Sequence, residues 1–208
     1  MKKVLLINGS PREHGCTDAA LKEVAAELRR CGVESELLWM GKEPMQDCVA
    51  CFSCSKTGRC VCDDLVNVYT SRLDEFGGIV VGSPVYYSGP TGRVTSFLDR
   101  FFMVADKSKL ARKCGAAVVS CRRGGASASF DRLNKYFQIT NMNVIGSQYW
   151  NQVHGSKAEQ VREDEEGMQT MRTLARNMTW MMKAQEMAET GGLEPAVYEK
   201  SVKTNFIR

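Results

Sequence analysis

The amino-acid sequence predicts one doubly wound α/β domain, in which a five-stranded parallel sheet lies between two layers of helices. Short apolar runs alternate along the chain with segments whose apolar residues recur at helical spacing. Strict alternation of strands and helices is typical of a parallel sheet, because each parallel pair needs a crossover connection. The 208 residues contain no internal repeat and no linker long enough to separate two domains.

The first part of the chain carries two predicted strands and two predicted helices. Residues 4–7 form an apolar run that predicts a buried strand, closed by Gly9, and residues 33–40 predict the second strand. The helix between them ends at Gly32, which suits a helix C-terminus, and the acidic pair 63–64 suits the start of the next helix. The residues expected to face inward are Leu21, Val24, Ala25, Leu28 and Cys31 in the first helix, and Leu65, Val68, Tyr69 and Leu73 in the second.

Three more strand–helix units complete the predicted sheet. The strands are predicted over 77–85, 114–121 and 143–150. The helices are predicted over 92–102, over 127–141, and from the acidic segment 163–167 to about Met187, and the last twenty residues are expected to form an irregular tail. The residues expected to face inward in the last two helices are Phe130, Leu133 and Phe137, and Met168, Met171, Leu174, Met178 and Met181.

Composition and charge exclude several classes of protein. The net charge of +4 comes from 28 basic and 24 acidic residues that are mixed along the chain, which argues against a nucleic-acid-binding surface. The apolar run near the N-terminus spans only residues 4–7, too short for a signal peptide or a membrane span. We therefore expect a cytoplasmic protein with no nucleic-acid or membrane partner, whose nine cysteines are thiols or metal ligands rather than disulfides.

The loop after the first strand, "GSPREHGCT" (9–17), has the groups of an anion site. Ligands of doubly wound folds bind beyond the carboxyl ends of the strands, so the loops after the first, third and fourth strands are expected to carry the chemistry. Ser10 and Thr17 offer hydroxyls, Arg12 offers a cation, and the following helix start offers backbone N–H groups. The loop has neither the Lys-Ser/Thr ending of a P-loop nor a three-glycine fingerprint, so it favours a single phosphate; an ordinary β–α turn is the alternative.

The loops after the third and fourth strands have the groups of a site for a flat, electron-rich ring. The third-strand loop, "GSPVYYSGPTG" (82–92), places a Val-Tyr-Tyr edge at the strand end, which suits packing along a heterocycle. The fourth-strand loop, "SCRRGGASASF" (120–130), offers Arg122, Arg123 and two glycines that free backbone donors. The alternatives are tyrosines that cap the core and a flexible, solvated arginine loop.

Five of the nine cysteines lie in "CVACFSCSKTGRCVC" (48–62). Zinc knuckles usually have two CxxC pairs far apart, whereas cysteines at a repeat of three are typical of ferredoxin-type runs. Gly58 supplies a turn that returns a fourth cysteine, and Cys62 is a possible substitute for it. The alternatives are a redox-active thiol pair and a thiol-rich wall. The sequence predicts a [4Fe–4S] site with the ligands Cys48, Cys51, Cys54 and Cys60.

These motifs together resemble a known family. "GSPR…T", "GSPVYYSGPTG" and the Gly-Gly loop resemble the flavodoxin-like NADPH-dependent FMN reductases, and the cysteine run resembles their iron–sulfur flavoprotein branch. "QYWN" and "HG" (148–155) are also similar, and Cys16 departs from the Asn or Ser of many relatives. The resemblance implies strand order 2-1-3-4-5, an FMN-binding domain over 1–187 with a cysteine-rich insertion at 47–63, and a tail over 188–208.

The resemblance also implies bound FMN and the residues that contact it. The phosphate would be held by Ser10, Arg12, Cys16 and Thr17. The ring and ribityl chain would contact Pro84, Val85, Tyr86 and Tyr87. The pyrimidine side of the ring would be bordered by Ser120, Arg123, Gly124 and Gly125. The family works as homodimers, and a tetramer is a further option, so the resemblance implies that Trp150, Asn151 and His154 reach a partner subunit's flavin. The alternative is that Trp150 and His154 are packing residues.

Flavin chemistry would occur at N5 of the ring, so no catalytic side chain is expected, and the two histidines give little support for a triad. The leading hypothesis is an FMN-dependent oxidoreductase that takes a hydride from NAD(P)H and reduces a quinone, a free flavin, another small electrophile or a redox protein. One alternative is an FMN and iron–sulfur electron carrier supplied by a ferredoxin-like donor. The other is a metal-sensing or scaffold protein without enzymatic activity.

Overall fold

The computed structural model describes residues 1–204 and 206. The strands are β1 (Lys3–Asn8), β2 (Ser35–Trp39), β3 (Phe76–Pro84), β4 (Cys114–Cys121), β5 (Asn143–Val144) and β6 (Gln152–His154). The helices are α1 (Cys16–Arg30), α2 (Cys54–Thr57), α3 (Leu65–Ser71), α4 (Gly92–Val104), α5 (Lys107–Leu110), α6 (Ala126–Ile139), α7 (Ala158–Glu163) and α8 (Glu165–Thr190). A 3₁₀ turn, Leu73–Glu75, leads into β3.

The sheet is parallel, in the order β2-β1-β3-β4-β5, and β6 also pairs with β4. The predicted doubly wound fold and its strand order are therefore confirmed. At the carboxyl ends, Asn8 pairs with Gly82, and Pro84 pairs with Ser120. This register brings the loops after β1, β3 and β4 to one edge of the sheet.

Both faces of the sheet are covered. Along β1, Leu5 and Ile7 point into the core beneath α3, α4 and α6, while Val4 and Leu6 point into the core beneath α1 and α8. All four side chains are completely buried. A continuous apolar strand is what a parallel sheet with helices on both sides requires.

The predicted fifth strand over 143–150 is wrong in its extent. β5 has only two residues, and pairing with β4 resumes at β6, opposite Val119 to Cys121. Between them, the Ser147 hydroxyl donates to the carbonyl of Tyr149 at 2.6 Å. Such local side-chain bonds compete with the strand ladder, so the edge of the sheet is interrupted there.

The α3 helix buries the predicted face only in part. Val68, predicted to face inward, is 48% exposed, and Val66 is buried instead. The carboxylate of Asp64 accepts from the N–H of Val66 at 3.0 Å and caps the helix, so the helix starts at Leu65. Tyr69 and Leu73 lie in the core as predicted.

The later helices differ from the predictions in detail. Phe130 is only partly buried, and in α8 it is Met182 rather than Met181 that is fully buried. The last helix continues beyond Met187 to Thr190, and residues 191–204 contain no helix or strand. Residues 205, 207 and 208 of the predicted tail lie outside the described residues. Within the described part of the chain, no helix is both long and apolar enough to cross a bilayer.

Candidate functional site

The loop after β1 is ordered by its own polar groups. The N–H of Ser10 donates to the side-chain oxygen of Asn8 at 3.0 Å, and the N–H of Arg12 donates to the Ser10 hydroxyl at 3.1 Å. Gly15 occupies the N-cap of α1, and no side chain among the described residues caps this helix start. The backbone N–H groups of the first turn of α1 therefore face the loop, with the buried Thr17 beside them.

Two hydrogen bonds tie this first loop to the neighbouring loops. The hydroxyls of Thr17 and Ser120 lie 2.9 Å apart, which joins the start of α1 to the end of β4. The Thr91 hydroxyl donates to the carbonyl of Gly9 at 2.9 Å, which joins the loop after β1 to the loop after β3. Thr17, Ser120 and Thr91 are all buried, so these bonds are shielded from water and fix the spacing of the three loops.

The loop after β3 projects aromatic side chains from the edge. Tyr86 and Gly89 exchange backbone hydrogen bonds of 2.8 and 3.0 Å, and the two residues between them, Tyr87 and Ser88, have φ of 50° and 59°. Positive φ at both central positions is the geometry of a type I′ turn and is strained for residues other than glycine. Tyr86 is half exposed and Tyr87 fully exposed, so both aromatic side chains are available to a ligand or partner.

The loop after β4 touches this turn at Gly125, which has φ of 92°. A Cβ atom at Gly125 would lie 2.8 Å from the Cα of Ser88 and 3.0 Å from Cγ1 of Val85. A Cβ at Gly124 would have no atom within 4 Å. Gly125 therefore permits the close approach of the two loops, and Arg123 and Gly124 remain exposed beside it.

The three site residues predicted after β5 do not lie together. The Nδ1 of His154 lies 3.1 Å from the carbonyl of Cys121, so His154 is at the same edge as the three loops. Trp150 packs on Tyr149, with ring centroids 4.9 Å apart, and is half exposed at the side of the sheet. Asn151 is buried, and its amide donates to the carbonyl of Ile145.

Cys16, the departure from the family pattern, lies at the start of α1. Its thiol donates to the carbonyl of Gly155 at 3.4 Å. Burial raises the pKa of the Cys16 thiol, although the Arg12 charge opposes the rise. The thiol is therefore neutral at physiological pH and adds no negative charge beside the anion loop.

The cysteine-rich segment forms a second feature, away from these loops. One pocket is bordered by five cysteines together with side chains of α4: Cys48, Cys51, Cys54, Cys60, Cys62, Arg100, Met103 and Val104. All nine cysteines of the chain are free thiols. Arg100 lies eight residues after Gly92, the start of α4, or about 12 Å along the helix. The pocket therefore lies against the side of the α3–α4 layer rather than at the loop edge.

The sulfurs around this pocket do not converge on one point. No three His, Cys, Asp or Glu side chains in the described part of the chain are close enough together to hold a metal ion. A tetrahedral zinc centre needs all its sulfurs about 2.3 Å from a single ion, so the arrangement does not fit a preformed zinc site. In a cluster each thiolate binds a different iron atom, so its ligand sulfurs need not all reach one ion, and five cysteines line this pocket.

The buried cation of Arg100 holds the end of the cysteine-rich segment. The sequence motifs did not reveal this residue. The guanidinium of Arg100 pairs with the Asp64 carboxylate at 2.7 Å and donates through Nε to the sulfur of Cys60 at 3.3 Å. Burial disfavours the Cys60 thiolate, but the bond from Arg100 and the other polar contacts outweigh it and lower the pKa of Cys60. The available signal was the position of Arg100 on an apolar helix face, three residues after Phe97.

A family model described as NADPH-dependent FMN reductase matches residues 2–157. An iron–sulfur flavoprotein of Methanocaldococcus jannaschii is 28% identical over 188 residues, which cover 87% of this chain and 97% of the relative. An iron–sulfur flavoprotein of Methanosarcina thermophila is 27% identical over 180 residues, covering 85% and 93%.

Solved structures agree on the fold. RosB with a bound 8-demethyl-8-formylriboflavin-5'-phosphate intermediate superposes with a TM-score of 0.69 at 13% identity, over 99% of this chain and 92% of that one. A WrbA-like flavodoxin from Agrobacterium tumefaciens gives 0.62 at 14% identity, over 88% and 99%. With the family match over 2–157 and a doubly wound sheet whose loops meet at one edge, the chain belongs to the NADPH-dependent FMN reductase family.

Proposed function

We propose that this protein binds FMN at the edge formed by the loops after β1, β3 and β4, and acts as an FMN-dependent oxidoreductase that accepts a hydride from NAD(P)H. The observation that carries the proposal is the joining of these loops. The Thr17–Ser120 bond and the close approach of Gly125 to Ser88 bring a phosphate-type loop, an aromatic edge and a glycine loop together. The family match gives the same cofactor class.

The first loop would hold the phosphate of FMN. The uncapped N–H groups at the start of α1 attract an anion, because the N-terminus of a helix carries partial positive charge. Arg12 adds a full charge, and Ser10 and Thr17 add hydroxyl groups beside the same turn. Because burial raises the pKa of Cys16, its thiol would add no negative charge beside the phosphate.

The other two loops would hold the ring. Val85 and Tyr86 would supply apolar and aromatic surface along it, while Arg123 and the backbone at Gly124 would border its polar, pyrimidine side. When bound, FMN supplies the hydride-accepting and electron-transferring chemistry. The chain would orient the ring and place the positive charge of Arg123 near its electron-rich side, so no nucleophile or triad would be required.

A second candidate function, electron transfer between proteins through FMN and an iron–sulfur cluster, is favoured by the cysteine pocket. We propose Cys48, Cys51, Cys54 and Cys60 as the ligands of a [4Fe–4S] cluster, with Cys62 beside Cys60 as a substitute. The similarity to iron–sulfur flavoproteins supports this reading.

We also propose that the protein is a homodimer, with partner contacts near the flavin. Tyr87 and Trp150 expose large aromatic surfaces at the loop edge and at the neighbouring side of the sheet. Exposed aromatic side chains are enriched at protein interfaces. His154 lies at the loop edge as well, where it can approach a flavin.

The two functions are separated by the electron donor. Protein purified without oxygen is mixed with NADPH, with NADH and with a reduced ferredoxin, and the flavin absorbance is followed. Rapid bleaching by a nicotinamide supports the reductase, whereas bleaching by ferredoxin alone supports the carrier. A protein that neither contains FMN nor takes up added FMN contradicts both.

A further inference from the structure

Arg100 is a charged residue in an apolar environment. It lies on α4 between Phe97 and Phe101, which are both completely buried, and its own side chain is only 1% exposed. A buried charge is costly unless it is paired and fully hydrogen-bonded. A cation is therefore retained at this position only where its partners offset the cost of burial.

The guanidinium of Arg100 uses all five of its N–H donors. Two donate to the Asp64 carboxylate, at 2.7 and 2.9 Å. Two donate to backbone carbonyls of the cysteine segment, Gln46 at 3.2 Å and Cys62 at 3.1 Å. The fifth, from Nε, donates to the sulfur of Cys60 at 3.3 Å. Arg100 thus joins both ends of the cysteine segment to α4.

A second buried residue fixes the backbone of Cys60. The amide oxygen of Asn67 accepts from the N–H of Cys60 at 2.8 Å. The amide nitrogen of Asn67 donates to the carbonyls of Cys60 and Cys62, at 3.0 and 3.2 Å. Cys48 and Cys51, by contrast, lie on an exposed stretch. Cys60 is therefore held by buried side chains from two helices before any ligand binds.

We propose that Arg100 is a positioning residue that holds the Cys60 sulfur toward the cysteine pocket and raises the reduction potential of an iron–sulfur cluster bound there. The inference rests on the cluster of the proposed function. One electron added to a cluster adds one negative charge, which a neighbouring cation and an N–H donor to a ligand sulfur stabilise. Asp64 offsets part of this effect, because its carboxylate is paired with the same guanidinium.

The test is the reduction potential of the intact, anaerobically prepared protein, titrated with dithionite and followed by the electron paramagnetic resonance of the reduced cluster. We expect R100Q to lower the potential by about 59 mV, a tenfold change in the one-electron equilibrium. R100K retains the charge but lacks the Nε donor, so a smaller decrease is expected. D64N leaves the Arg100 charge uncompensated and is expected to raise the potential.

Arg59 provides the matched control. It lies in the same segment and loses the same charge in R59Q, but its side chain is 61% exposed and pairs with Asp63 at 3.0 Å on the surface. Solvent and salt screen such a charge, so R59Q is expected to shift the potential by less than a third as much as R100Q.

The outcomes distinguish the two proposals. Wild-type protein without iron and sulfide, even after reconstitution, overturns the cluster and this inference with it. A cluster whose potential is the same in wild type, R100Q and D64N overturns the role of Arg100 and leaves the cluster standing. If R100Q fails to assemble a cluster, the test uses R100K and D64N, which are expected to lower and to raise the reduction potential. Equal potentials in these two variants refute the inference.

Discussion

Replacing Gly125 with alanine tests whether the contact between the loops after β3 and β4 builds the proposed flavin site. The added Cβ atom would lie 2.8 Å from the Cα of Ser88, and the backbone would retain a φ of 92°. A left-handed conformation costs a residue with a side chain about 1–2 kcal/mol, and the Ser88 turn must also move. We expect a total cost of about 2 kcal/mol, since other strained positions fall in the same range.

Part of this cost should fall on FMN binding. Without FMN the loop can relax away from the clash, and binding must bring the two loops together again. We therefore expect Gly125→Ala to weaken FMN binding at least tenfold, because about 1.4 kcal/mol corresponds to a factor of ten. The assay is quenching of FMN fluorescence by apoprotein, together with urea unfolding of the apoprotein.

Gly146→Ala is the matched control, because Gly146 lies outside the three loops of the proposed site. Its Cβ would meet no atom within 4 Å and its φ is not in the left-handed region, so we expect stability and FMN affinity close to wild type. If the two alanine variants bind FMN equally well and unfold at the same urea concentration, the reasoning about the loop contact is refuted.

Three further predictions concern the anion loop, a partly buried amine and the core. Arg12→Gln should weaken FMN binding about tenfold at low salt but leave riboflavin binding unchanged, as measured by calorimetry; equal losses for both would exclude a phosphate contact. Burial lowers the pKa of Lys113 to about 8, and in the unfolded chain it is about 10.4. Between these values the unfolded state binds more protons, so stability should rise with pH, and Lys113→Met should flatten this rise in urea unfolding; an unchanged slope would contradict it. Phe97→Ala, at a completely buried position, should lower the free energy of unfolding by about 3–5 kcal/mol, while a loss below about 1 kcal/mol would show that the core there is loosely packed.

The central strands were predictable because burial on both faces leaves a direct mark on the sequence. The apolar run 4–7 and the run 114–121 coincide with strands that are almost completely buried. The meeting of the three loops was predictable because the carboxyl ends of parallel strands lie at one edge of the sheet, while their role in binding FMN stays a prediction. Strand order required the family resemblance, since apolar patterns do not show which strands pair.

The edge strand and the cysteine segment were harder to predict. The break between Val144 and Gln152 coincides with a local hydrogen bond of Ser147, which no apolar pattern reports. The role of Arg100 depends on contacts with residues 36 to 54 positions away along the chain. Such contacts exist only once the fold has formed, so spacing within the cysteine run could indicate the ligands but not the residue that holds them.

The cofactor content of the protein, purified without oxygen, shows whether the loop edge of the sheet is a flavin site. FMN is released and quantified, and iron and acid-labile sulfide are measured per chain. We expect about one FMN per chain, with about four iron and four sulfide where the cluster is retained. A colourless protein that does not bind added FMN would contradict the proposed site at the edge of the sheet.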